Sequence, residues 1–232
     1  MDDKLQTNQF VIHDAIKEGN TNLAKSLIDQ FPKEIYLTDD DNRTTLHWAC
    51  SLNNQTIVEY ILSKKQVDID DLVDLSGWTP LHIISSIGNI EIFQKLLTID
   101  PKPDLNLQTN QGTTCLHLAI SKNNYEIVKS LVENGASCRV KDKKGYTPLH
   151  RASAIGSIPI VKLLMDKGKV NVNAKDNDGW TSLHHALAEG HGDVAVLLVS
   201  LGADAKIENN QQELPIDIAV DDKVKKYFVE NI

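Results

Sequence analysis

The sequence predicts an all-α solenoid of seven helix-turn-helix repeats joined by β-turn fingers, and three observations carry that expectation. A hexapeptide recurs: Gly77-Trp78-Thr79-Pro80-Leu81-His82 and Gly145-Tyr146-Thr147-Pro148-Leu149-His150 share one form. Gly112-Thr113-Thr114-Cys115-Leu116-His117 and Gly179-Trp180-Thr181-Ser182-Leu183-His184 keep its Gly, Thr, Leu and His. The histidines His47, His82, His117, His150 and His184 follow one another at intervals of 35, 35, 33 and 34 residues. Repeats of about 33 residues, seven in number, fill a chain of 232.

Each place in the hexapeptide has a structural reason. Gly closes a turn that needs positive φ, and Asn42 stands in for it in Asn42-Arg43-Thr44-Thr45-Leu46-His47 because Asn also tolerates a left-handed backbone. Thr before Pro reads as an N-cap followed by the first helical residue, where the missing N–H of Pro costs nothing. A period near 33 with a Thr-Pro-Leu-His core resembles the ankyrin repeat, a β-turn followed by two helices. That resemblance implies that Leu points into the stack and that the His ring ties one repeat to the next.

The units divide at about 1–38, 39–73, 74–108, 109–141, 142–175, 176–208 and 209–232, within one domain spanning 1–232. In the first, the stretch from Phe10 to Asn20 reads as a helix with a Gly-ended stop, and Leu23, Leu27 and Ile28 form the apolar face of a second helix. The hexapeptide is absent there and again after Glu213, as expected of capping repeats with a solvated outer side. The middle repeats run close to one pattern, with Pro159 near a helix start and a terminal polar-faced helix at Lys223 to Phe228.

Six histidines, counting His13, share one repeat position, so a metal or catalytic ladder was weighed against a structural one. Helices pack about 8–10 Å apart whereas zinc–nitrogen bonds are about 2 Å, so successive repeats cannot share a metal. His184, His185 and Glu189 lie close on one helix but lack a fourth ligand. The structural reading is preferred, with no cofactor and no metal. A net charge of −8 argues against nucleic acid as ligand. No apolar run is long enough to cross a bilayer and no signal peptide follows Met1, so no membrane partner is expected. Cys50, Cys115 and Cys138 read as buried free thiols in a reducing compartment, cytoplasmic and nuclear. Phosphate-loop, Cys-x-x-Cys, zinc-protease and nucleophile-elbow motifs are all missing, which argues against an enzyme.

Several stretches carry a closer likeness. The run from His185 through Gly192 to Val199, with Gly at a place where an apolar residue is usual, resembles the sixth repeat of the gankyrin family, particularly its fungal members. Asp74 to Pro80, Leu46-His47-Trp48, Asn134 to Ser137 and Lys225 to Phe228 are similar to the same family. The polar lead before Phe10 is long for it, and Thr45, Ile84 and Ser85 depart from the repeat consensus. The resemblance implies an assembly chaperone of the proteasome regulatory particle, monomeric when free. Such a chaperone holds the C-terminal domain of one base ATPase, the third regulatory-particle triphosphatase, on its concave face and blocks premature docking on the core. A general ankyrin adaptor masking a transcription factor or kinase is the alternative.

A partner lying on that face is expected to meet the fingers and the starts of the first helices. Trp48, Trp78, Tyr146 and Trp180 would supply aromatic anchors, with Ile83, Ile87 and Ile155 beside them. For Trp48, packing and binding are equally plausible readings. Asp39, Asp40, Asp41 and Asp71 would meet basic residues, and Lys122, Lys143, Lys144 and Arg151 acidic ones; Arg43, His185 and Glu189 complete the set. A solvated surface of mixed charge is the competing reading of the same residues.

Overall fold

A computed structural model describes residues 11–64 and 67–232. The chain divides into two compact units, the first ending at Asn110 and the second beginning at Gln111. In both, the repeated Thr starts a short first helix and an Asn, Ser or His starts a second.

In the first unit a helix, α1, covers 11–17 and is followed by α2 (Thr21–Gln30). Then come α3 (Thr45–Ser51) with α4 (Gln55–Lys64), and α5 (Pro80–Ile87) with α6 (Ile90–Leu97). Helix α3 packs on α4, and α5 on α6. Across repeats α3 meets α5, while α2 meets α4 and α4 meets α6, so two helical layers form. The core between them holds Leu46, Ile57, Ile61, Leu81, Ile92 and Phe93, each no more than 2% exposed. On α2 the buried residues are Ala24 and Ile28, whereas Leu23, expected on the apolar face, is 40% exposed. The small Ala24 lets α2 approach α4, and Leu23, one residue earlier, is turned away.

The second unit repeats the scheme with α7 (Cys115–Ser121) and α8 (Tyr125–Glu133), α9 (Pro148–Ala154) and α10 (Ile158–Lys167), and α11 (Ser182–Ala188) and α12 (Gly192–Ser200). The last repeat has turns at 215–218 in place of a first helix and closes with α13 (Asp222–Asn231). Phe228 is the buried residue of α13, and its polar neighbours are exposed, the pattern of a cap. Gly192, unusual in sequence, has a tertiary reason: a Cβ there would stand 2.8 Å from Cδ1 of Tyr227 on α13.

All five hexapeptide helices begin with the same reciprocal cap. The Thr Oγ1 of Thr44, Thr79, Thr114, Thr147 and Thr181 lies 2.9 Å from Nδ1 of the His three residues on. That Nδ1 also accepts the Thr backbone N–H, at 2.9 Å for Thr147 and 3.1 Å for Thr44. The arrangement is a capping box in which His takes the place usually held by Glu or Gln. Nδ1 is therefore an acceptor, so the neutral ring carries its proton on Nε2.

That second nitrogen makes the inter-repeat tie expected from the resemblance. Nε2 of His47 donates to Trp78 O, of His82 to Leu107 O, of His117 to Tyr146 O, of His150 to Ala174 O and of His184 to Glu213 O. Both nitrogens are committed to protein atoms, so these rings are structural. His13 differs: its ring is buried, and neither nitrogen has a hydrogen-bond partner among the described residues. In the sequence the residue three before His13 is Phe10, which has no hydroxyl to offer. The three cysteines are free and buried. Burial pushes the Cys50 thiol up to about 12 and the Cys138 thiol to about 11, so both stay protonated.

Candidate protein-binding surface

Four of the fingers are built around a carboxylate three residues before the turn Gly or Asn. Oδ1 of Asp142 accepts the N–H groups of Lys144 and Tyr146, each at 2.9 Å, and Oδ1 of Asp176 accepts those of Asp178 and Trp180 at the same distance. Asp74 does this for Ser76 and Trp78, and Asp39 for Asp41 and Arg43. Although burial alone would push the Asp39 carboxyl up, these N–H groups and the Trp48 indole hold it below the usual carboxylate range.

Successive fingers then form a ladder. Asn177 N donates to Lys144 O, and its side-chain amide to Lys143 O, at 3.1 and 2.9 Å. Asn210 repeats this on the finger before it, as Asn110 does within the first unit. The ladder also explains Gly145: its φ is +82°, and a Cβ would lie 2.7 Å from the backbone N of Asn177.

The second oxygen of each carboxylate fixes the side chain nine residues on, directly after the capping histidine. Trp48 Nε1 donates to Asp39 Oδ2 at 2.8 Å, Arg151 Nη2 to Asp142 Oδ2, and His185 Nε2 lies 2.8 Å from Asp176 Oδ2. In the third repeat that place is Ile83, which has nothing to donate. Asp74 Oδ2 is met instead by Arg43 Nε from the preceding finger, at 3.4 Å. Asp74, Asp142 and Asp176 thus orient the surface, and the sequence reading gave them no site role. Their signal was available as an acidic residue held at a constant distance before the turn glycine.

In the first unit, Asp40, Asp41 and Asp71 are exposed, and Asp39, Arg43, Trp48 and Trp78 are half-buried. Lys17 Nζ stands 4.1 Å from the Trp48 ring centroid, so this indole both packs and presents an edge. A cleft of about 380 Å³ gathers Arg43, Trp78, Ile83 and Ile87 together with Asp74 and three serines. Ile87 is 39% exposed at its mouth, but Ile83 is only 7% exposed and forms the floor rather than a contact surface.

In the second unit, Lys122, Lys143, Lys144 and Glu189 are exposed and unpaired by any salt bridge among the described residues. Tyr146, Arg151, Ile155 and Trp180 are half-buried. Tyr146, Arg151, Ile155 and His185 meet in a smaller cleft of about 120 Å³. Two of the expected contact residues have their polar groups engaged by the fold. His185 is 8% exposed, with its ring centroid 4.9 Å from Tyr146 and 5.2 Å from Trp180, and is held by Asp176. Arg151 also donates to Ser121 Oγ and has its charge matched by buried Asp142. Lys122, Lys143 and Lys144 are cations of this surface that no such carboxylate engages among the described residues.

Among the described residues no cluster of histidine, cysteine and carboxylate groups could hold a metal, and no helix is long and apolar enough to cross a membrane. A cleft of about 420 Å³, formed by Gly190, Gly192, Val220 and Tyr227, lies at the α12–α13 junction away from the fingers.

A family model described as ankyrin repeats (3 copies) matches residues 1–72, 64–142 and 134–209. A Saccharomyces cerevisiae protein described as a probable 26S proteasome regulatory subunit p28 is 44% identical over 227 residues, spanning 97% of this chain and 100% of that protein. An ankyrin repeat-containing protein of Schizosaccharomyces pombe is 37% identical over 60% of this chain and 46% of its own length. Among solved structures, the ankyrin repeat domain of Bcl-3, an IkappaB family member, superposes with a TM-score of 0.75 at 26% identity. That match covers 94% of this chain and 97% of the other.

Proposed function

Because the chain belongs to the gankyrin family of ankyrin-repeat proteins, we propose that it is a non-catalytic, protein-binding assembly factor of the proteasome regulatory particle. The observation that carries this reading is the end-to-end match to the yeast regulatory subunit, 44% identical over all of that protein. Its bound client would be the C-terminal domain of a base ATPase, the third regulatory-particle triphosphatase, lying against the fingers and first helices. The mechanism is steric and reversible: the bound chaperone makes the ATPase ring too bulky to dock early on the proteolytic core. Binding in the cytoplasm and nucleus follows from where such particles are built.

The surface suits that role. Within each unit, fingers held by carboxylates and laddered to their neighbours are pre-organised, which lowers the entropy lost on association. The second unit offers exposed lysines and the first exposed aspartates, each able to meet opposite charge on a client. An adaptor masking a transcription factor or kinase would use the same fold, so the partner decides between them. Affinity capture of the tagged chain from its own cells, read by mass spectrometry, should recover proteasome base ATPases in the chaperone's complex without core subunits. Recovery of mature core particles, or of an unrelated client and no ATPase, would refute the proposal.

A further inference from the structure

We propose that Thr38 is a phosphoacceptor for an acid-directed serine/threonine kinase, a modification site at the root of the first finger. Four serine and threonine residues in the sequence have a carboxylate three places later: Ser26, Thr38, Thr56 and Ser130. Three of them lie inside helices, Ser26 in α2, Thr56 in α4 and Ser130 in α8. Thr38 alone sits in irregular chain, between the 3₁₀ turn Glu34–Tyr36 and the finger. It is exposed, and among the described residues neither its hydroxyl nor its backbone takes part in a hydrogen bond.

This placement matters because the acceptor hydroxyl must reach the γ-phosphorus in line with the leaving oxygen. A helical residue can do so only after its turn unwinds, whereas an unbonded, extended segment enters a kinase groove as it stands. The charges after Thr38 are arranged to match. Asp39 is turned inward onto Trp48 and its own finger. Asp40 and Asp41, two and three places after the hydroxyl, are exposed and carry no ion pair among the described residues. They offer carboxylates to a basic recognition groove.

The step balances with a nucleoside triphosphate as co-reactant. Thr38 Oγ1 bonds to the γ-phosphorus, the bond to the nucleoside diphosphate oxygen breaks, and the hydroxyl proton passes to the kinase's base. The product adds nearly two negative charges beside Asp40 and Asp41, extending the acidic strip offered by the first unit.

The test uses the full chain with an acid-directed kinase and magnesium ATP, followed by intact and peptide mass spectrometry. One phosphate on Thr38 is expected, with none on Thr38→Ala and a rate lowered about tenfold in Asp40→Asn/Asp41→Asn. Because Thr38 is exposed and unbonded, the alanine variant should melt with the wild type, so its loss of phosphate reports the site and not unfolding. Phosphate on Ser26, Thr56 or Ser130, an unreactive wild-type chain, or equal rates in the asparagine variant would overturn the proposal.

Discussion

Between pH 6.5 and about 4 the protein should lose stability steeply, a loss that starts above the range in which ordinary carboxylates titrate. Burial holds the imidazoles of His117 and His150 down to about 4, from an ordinary value of 6.5. The geometry gives the same direction: Nδ1 accepts the capping Thr N–H, and a protonated ring has no lone pair there to accept it. Above pH 6.5 both states hold these rings neutral, and the capping contribution is complete. As pH falls below 6.5 the unfolded chain takes up protons that the folded chain refuses, so stability is lost until the folded rings titrate near 4. A shift of that size corresponds to about 3 kcal/mol for each of the two histidines. Burial lowers His47 and His184 in the same direction. Urea unfolding at intervals from pH 7.5 to 4 measures this, and His117→Gln/His150→Gln should be less stable at neutral pH and less sensitive to acid. A midpoint unchanged from pH 7 to 4.5 would contradict it.

Asp142→Ala should cost about 1–3 kcal/mol, because it leaves the finger N–H groups and the half-buried Arg151 guanidinium without their acceptor. The carboxylate is 3% exposed and holds Lys144 N, Tyr146 N and the Arg151 guanidinium together. Removing Arg151 as well should restore part of the loss, so the double variant should fall well short of the sum of the singles. Asp178→Ala, at an exposed carboxylate in the next finger, should stay within about 0.5 kcal/mol of wild type. Chemical denaturation of the four proteins is sufficient. Equal effects at Asp142 and Asp178 would mean that the buried carboxylates do not organise the fingers.

The capping relation was legible in the sequence because it is local. Thr and His three residues apart meet within one helical turn, and a repeated local pattern fixes both the period and the helix starts. The relation between Asp142 and Arg151 was not legible. It spans nine residues across a turn whose shape the period does not specify, and the second member changes from Trp48 to Ile83, Arg151 and His185. Arg151 and His185 were therefore read as partner-facing when their polar groups are turned to the finger. Gly192 stood out in sequence, but its reason is the Tyr227 ring of a helix one repeat later. Leu23 shows the same limit, since spacing alone could not tell which side of α2 meets α4.

The pairing of Arg151 with Asp142 also decides which charges should be reversed to test the binding face. Arg151→Glu would place a second carboxylate against a buried one and unfold the finger, whereas Lys122 and Lys143 are exposed and have no such duty. The decisive measurement is the affinity of the full chain for the isolated C-terminal domain of the base ATPase. It should be compared between wild type, Lys122→Glu/Lys143→Glu, and Lys129→Glu/Lys162→Glu on the second helices α8 and α10. All three should share one melting temperature. The first double variant should bind at least about tenfold more weakly, and the second should match wild type. Two double variants that bind alike would contradict the assignment of the client to the fingers and first helices.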